Sequence, residues 1–270
     1  MMFPIGEQPK IIKDLKTLEN MPDELAIDGK TKNLEKLPSF SEINKLWIFT
    51  VNQKQFETIL NYIKPKILYI YEMRVEDLSP LEKLTDIEEL HMCWNTKATT
   101  LWDLTHNIKL ISLSIEDFSK LDNVKPLKHG GNLKKLNLSG GIWKSLNIDT
   151  LEPLKYLSNL KKLTLMNIRV KDESLEHLSY LHQLQELNIS NQFPTEEYAR
   201  LSVILKNTKC DFFQPYVKMS DPIDSKNIMV IGKRKPFLNS DTDFKKIKKY
   251  EEQFKIFQDK YKNISIIDDI

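Results

Sequence analysis

The 270 residues contain only two cysteines, Cys93 and Cys210. That excludes a disulfide framework and agrees with free thiols in a reducing compartment. No stretch approaches the roughly 20 uninterrupted apolar residues that cross a bilayer. The opening MMFPIGEQPK has no basic region followed by an apolar run, so neither a membrane span nor a secretory leader is expected, and the expected location is cytoplasmic. Net charge is equally scarce. With 40 Lys and Arg against 38 Asp and Glu, the formal balance is +2, too little for the whole molecule to trap nucleic acid or an anionic membrane. Chemical motifs are missing as well. The five histidines form no HExxH, the cysteines no CxxC, and GxxxxGK[ST], GxGxxG and GxSxG do not occur, so no metal, cofactor or catalytic residue is expected.

What the chain does have is self-similarity. LKKLNL at 133, LKKLTL at 160 and LQELNI at 184 fit a template LxxLxL, which extends to first positions at Pro22, Ile43, Pro65, Ile87, Ile108, Leu133, Leu160, Leu184 and, weakly, Thr208. Nine units of 21 to 27 residues are predicted. The apolar fourth and sixth positions share one face of a short strand, and the residues between them face the other way. Between strands, triplets such as Leu78, Leu81, Leu84 and Leu151, Leu154, Leu157 repeat at spacing three. These predict short 3₁₀ or α returns, with true helices over Gln53–Ile63 and Thr195–Lys206. Parallel strands need such crossovers, so the units predict a curved parallel sheet with helical returns on its convex side.

On these residues the chain resembles the leucine-rich-repeat family, especially its bacterial, internalin-like short repeats, over residues 22 to 213. The resemblance implies an α/β solenoid, a horseshoe with a concave parallel sheet. It departs from that pattern in one respect. The family's Asn, three residues after the sixth position, survives only at Asn95, so the turns after the strands must satisfy their backbone otherwise.

Three parts are expected: an N-terminal cap over 1–21, with Ile11, Ile12, Leu15 and Leu18 spaced for amphipathic turns; the repeats over 22–213; and a C-terminal capping module over 214–270. The module reads as two strands, YVKM at 216 and NIMVIG at 227, followed by a helix capped by Ser240 or Asp241. Its apolar stripe is Phe244, Ile247, Tyr250, Phe254, Phe257 and Tyr261. Residues 226–262 carry eleven Lys or Arg and five Asp or Glu. Lys233, Arg234, Lys235, Lys245 and Lys249 are therefore a candidate basic contact for an acidic partner or phosphate, against the plainer reading of a solvated helix face.

On the concave face, Trp47, Tyr69 and His91 are expected as lateral neighbours, with Phe49, Tyr71 and Cys93 in the next column. Contiguous aromatics on a surface otherwise filled by Ser, Asn and Thr suit an interface core. Two plainer readings are that the N-terminal segment covers them, or that they stack to stiffen the sheet. The expected function is non-catalytic binding of another protein or peptide by a monomer, with an immunity or inhibitor protein as a narrower version. The readings of other classes are an enzyme or adaptor acting through the C-terminal module, with Cys210 as nucleophile, and nucleic-acid contact by the basic helix.

Overall fold

The computed structural model describes residues 6–20 and 22–262. Residues 1–5 and 21 of the expected N-terminal cap, and 263–270 of the C-terminal module, lie outside them. Nine strands form one sheet in which every neighbouring pair is parallel. The first seven are β1 (Ile12–Asp14), β2 (Glu24–Lys32), β3 (Lys45–Asn52), β4 (Ile67–Arg74), β5 (Glu89–Asn95), β6 (Ser112–Phe118) and β7 (Lys135–Ser139). A short strand outside the sheet, β8 (Leu146–Ile148), comes before β9 (Lys162–Leu165), and a second, β10 (Ile168–Val170), comes before β11 (Glu186–Ile189). Strands β8 and β10 pair with each other in parallel. The template sets the main register: Leu25, Leu46, Leu68 and Leu90 stand side by side, as do Ile27, Ile48, Ile70 and Met92, all buried.

The convex side is built from the spacing-three triplets. Six 3₁₀ turns, Leu34–Phe40, Ser79–Lys83, Leu104–His106, Lys125–His129, Glu152–Tyr156 and Glu176–Tyr180, face the core with Leu37, Leu81, Leu104, Leu127, Leu154 and Leu178. Pro80, Pro126 and Pro153 sit in the first turn of three of them, where a missing N–H costs nothing. True helices form where expected, as α1 (Gln53–Tyr62) and α2 (Thr195–Ile204). The first opens on a capping box in which Asn52 and Gln55 each satisfy the other's backbone N–H.

The fifth unit is displaced from the register expected of it. Leu113, not Ile111, lies opposite Leu90, and Ile115 lies opposite Met92. The unit therefore begins at Leu110, which is buried, while Ile108 is 64% exposed. From Ile87 to Leu110 and from Leu110 to Leu133 is then 23 residues each, a more even repeat than the sequence template suggested. In a unit rich in apolar residues, two alignments two residues apart both place side chains on the core face, because the strand period is 2.

The turn after the strands compensates for the absent Asn. Thr50, Glu72, Trp94 and Asp117, near the ends of their strands, and Asn167, between β9 and β10, adopt left-handed backbone with φ of 49 to 63°. The residue that follows each of them, Val51, Met73, Asn95, Phe118 and Ile168, is buried. An apolar row thus replaces the amide ladder. Asn95 alone keeps the polar solution: its Nδ2 donates to Val75 O at 2.9 Å, and its Oδ1 accepts from the N–H groups of Lys97 and Ala98.

At the N-terminal end, Ile12 and Asp14 pair with β2 as a strand, and a 3₁₀ turn follows over Leu15–Thr17, its N–H at Lys16 capped by Asp14. At the other end, residues 208–213 contribute a single bridge at Lys209 in place of a ninth repeat strand. The C-terminal module is an antiparallel sheet of β12 (Tyr216–Ile223), β13 (Lys226–Val230) and β14 (Phe237–Leu238), followed by α3 (Phe244–Lys262). Asp224 and Ser225, both left-handed, make the hairpin turn. The helix starts one residue after Asp243, whose carbonyl accepts from the N–H groups of Lys246 and Ile247, so neither Ser240 nor Asp241 is its cap. Phe254 is buried on the repeats, and Ile247 and Tyr250 pack on the small sheet. Phe244, expected on that stripe, is 62% exposed.

The register makes a direct prediction. Leu110→Ala should cost about 2–5 kcal/mol in urea unfolding, and Ile108→Ala should stay within about 0.5 kcal/mol of the parent. The reverse order of the two effects would restore the alignment expected from sequence.

Candidate partner-binding surface

The strands bring the predicted concave residues together in the expected columns. Trp47, Tyr69 and His91 are direct lateral partners, as are Phe49, Tyr71 and Cys93. The rings stack: Trp47 and Tyr69 centroids lie 4.0 Å apart at 14°, and Tyr69 and His91 4.8 Å apart at 18°. Phe49 and Tyr71 meet at a tilt, 6.3 Å apart.

The structure does not leave this column open to solvent. Trp47 is 0% and His91 2% exposed, while Phe49, Tyr69, Tyr71 and Cys93 are half-buried. Ile11, on the approach to β1, packs against the same cluster. Lys45 extends its Nζ to 5.2 Å from the Trp47 ring centroid and pairs with Glu24 at 3.0 Å, and Glu24 also accepts from the Trp47 indole N–H at 3.2 Å. Trp47 and His91 therefore belong to a packed second layer over the sheet, and an exposed docking patch centred on them is not what the fold presents. Both plainer readings, cover from the N-terminal side and lateral stacking, describe the geometry.

Two buried groups in this layer have altered acidity. Neither ring nitrogen of His91 has a hydrogen-bond partner among the described residues, and Glu89 Oε2 stands 3.8 Å from Nε2, beyond good hydrogen-bond reach. Burial holds the His91 imidazole below its ordinary 6.5, and Glu89 only partly offsets this. Burial also pushes the Cys93 thiol up to about 12, and the Cys210 thiol up to about 11. Burial thus favours the protonated thiol at both positions.

Four exposed apolar residues, Trp94, Ile142, Trp143 and Met166, lie along the rim at the C-terminal ends of the strands, while others, such as Tyr62, Ile108, Tyr156 and Ile256, are scattered over the rest of the surface. Trp94 is 42% exposed and meets Tyr71 edge-on at 6.0 Å. Beside it on the next strand is Asp117, whose carboxyl burial raises above the usual range. The loop 140–145 crosses over this carboxylate. A Cβ on Gly140 would run into the backbone of Asn167 and Leu146, so no larger residue fits there, and one on Gly141 would displace the Asp117 carboxylate. Asn167 staples the loop: its Nδ2 donates to Gly141 O at 2.6 Å, and its Oδ1 accepts from Ser145 Oγ at 2.8 Å. Ile142 and Trp143, at the tip of this anchored base, are 89% and 96% exposed, with Met166 45% exposed on the neighbouring unit. This site was not singled out from sequence. Its signal was the length of its unit, 27 residues from Leu133 to Leu160 and the longest of the repeats, with an Ile-Trp pair placed after two glycines.

The basic residues are dispersed. Lys233 pairs with Glu173, Lys235 lies 5.4 Å from the Tyr250 ring centroid, and Lys245 lies 6.0 Å from that of Phe244. Lys249 is exposed on α3, and Arg234 is exposed in the loop before β14. Among the described residues no His, Cys, Asp and Glu groups come together as metal ligands, and no helix is long and apolar enough to cross a membrane.

Because Trp47 is packed on all sides, Trp47→Ala should cost about 3–5 kcal/mol of stability, and a neutral result would reopen the docking role. His91 adds a pH dependence. An unfolded imidazole takes up a proton near 6.5 and the buried one resists it, so its contribution is full above that value and is lost as pH falls below it. Urea midpoints should fall between about pH 7 and pH 5.5 in the parent, and fall less in His91→Phe. Equal slopes would show that His91 is not the titrating group.

No family model matches the chain, and no curated protein does. Among solved structures, internalin C2 of Listeria monocytogenes matches with a TM-score of 0.48 and 22% identity, over 65% of this chain and 72% of that one. A second Listeria monocytogenes internalin gives 0.44 and 18%, over 68% and 66%. A leucine-rich-repeat protein of Leptospira interrogans gives 0.48 and 16%, over 73% and 65%, so the match spans less than two thirds of that protein. At these identities the likeness assigns no function. By its own parallel register, its 3₁₀ returns and its repeat length, the chain has the fold of a leucine-rich-repeat solenoid.

Proposed function

We propose that the chain is a non-catalytic protein-binding module that holds a partner along the rim of its concave sheet. Ile142 and Trp143 are the anchors, and Tyr71, Trp94 and Met166 continue the surface. The observation that carries this reading is the exposure of Trp143, 96%, on a loop whose base is fixed by close glycine contacts and four hydrogen bonds to the Asn167 side chain and the backbone around it. A free Trp exposes a large apolar area to water, and a pre-anchored tip has little conformational entropy left to lose on binding. Binding hot spots are enriched in Trp for the same reason, since it brings a large area on few rotatable bonds. Trp47 and Trp102, by contrast, are buried. The aromatic column beneath the rim supports the reading indirectly, by stiffening the sheet on which Tyr71 and Trp94 stand.

The test places a photoreactive residue at Lys144, which is exposed beside the tip, in cells that express the protein. One discrete adduct with another protein is expected. It should be lost in the Ile142→Ser, Trp143→Ser double variant, whose melting temperature stays within about 2 °C of the parent because both side chains are solvated. An adduct that survives the double substitution, or no adduct at all, would sink the proposal.

A further inference from the structure

Directly after the rim loop the chain enters β8, and a groove of about 780 Å³ opens on the outer side of β8 and β10. Its floor follows from strand alternation. Leu146, Ile148, Ile168 and Val170 turn inward and are buried, leaving Asn147 and Arg169, direct lateral partners, on the outer face. One wall is the loop 231–235 of the C-terminal module, locked onto the last repeat. The Gly232 N–H donates to Asn191 Oδ1 at 2.7 Å, the Lys233 N–H to Phe193 O at 2.7 Å, and Thr195 Oγ1 to Ile231 O at 2.8 Å. Gly232 has a φ of +130°, and a Cβ there would lie 2.1 Å from Thr195 Oγ1, so this wall is built for close contact and has a fixed shape.

The charges lining the groove are unequally matched. Lys233 is paired with Glu173, and Lys171 stands 3.8 Å from Asp149. Arg169 and Arg234 also line the groove, and neither has a carboxylate partner among the described residues. Arg234 is held in left-handed backbone at φ 59°, a conformation that costs about 1 kcal/mol or more for a residue with a side chain.

We infer that this groove binds an extended, singly acidic peptide segment of a partner protein, its carboxylate held by Arg169 and Arg234. Two guanidiniums suit a planar carboxylate. A compact polyanion such as a nucleotide triphosphate suits the groove poorly, because Asp122, Asp149 and Glu173 share the lining and would oppose its remaining charges. The volume lies within the range of sites that enclose a ligand. The inference deepens the binding role proposed for the rim loop by adding a second contact beside it.

The test uses titration calorimetry of the full chain with an unlabelled set of acetylated, amidated heptapeptides. Each carries one glutamate in an otherwise neutral sequence, with glutamine-containing twins as controls and ATP as the polyanion arm. Glutamate peptides are expected to bind, and their twins to bind at least about tenfold more weakly. Arg169→Glu and Arg234→Glu, both at exposed positions, should each weaken binding by a similar factor without moving the melting temperature. No peptide binding, binding indifferent to both arginine substitutions, or ATP competing with the peptides at lower concentration than they bind would each overturn the inference. The Ile142→Ser, Trp143→Ser variant should keep its peptide affinity, and Arg169→Glu should keep the Lys144 adduct, so failure at the groove and failure at the rim are read separately.

Discussion

Burial of one unit's apolar rows by the next is the constraint on which everything else in this molecule rests. A strand of four to nine residues with a 3₁₀ return has no interior of its own. Leu46 or Ile70 becomes buried only because its counterparts on both neighbouring strands stand at the same height. Each such side chain contributes about 1.5–3 kcal/mol when fully buried, and it does so only in register. Departures from the consensus, such as the apolar row at Val51, Met73, Phe118 and Ile168 in place of Asn, are tolerated where they add to the same core.

A fixed core leaves variation to the other faces. On the concave face it has been used twice. The N-terminal strands carry an aromatic layer of stacked rings and a lysine-glutamate cover; the middle strands carry a polar network in which Asn137 donates to Ser114 and Glu116. The longest unit spends its extra residues on the rim, where close packing of two glycines makes a fixed base for a hydrophobic tip. That division of labour, with stiffness under the sheet and apolar exposure at its edge, is what a recognition surface on a rigid scaffold needs.

The fold was legible in the sequence because its signal is repeated. Apolar residues at positions four and six of successive units, and Leu at spacing three between many of them, state a parallel sheet with short returns several times over. The errors came where repetition fails. Unit five offered Ile108, Leu110, Ile111, Leu113 and Ile115, so composition alone could not choose between alignments two residues apart. The concave columns were legible as columns, but their exposure was not. Strand alternation places Trp47 on the outer face, and only the tertiary packing of Ile11, Lys45 and Tyr69 shows that it is covered. Trp143 escaped notice because it sits in an insertion, where the template has no position to assign. The groove beside it draws on units five to eight and on a loop some forty residues later in the chain, a proximity that exists only once the C-terminal module has docked.

That docking also sets the order in which the structure can open. In a linear array, breathing starts at whichever end is held least. The N-terminal edge strand has three residues and two paired positions, whereas the far end is clasped by Asn191, Phe193 and Thr195 to the 231–235 loop, and by Ser202 and Glu196 to α3. Transient unzipping should therefore travel from the first strands inward. It would uncover the stacked aromatic layer while the rim loop and its groove keep their shape.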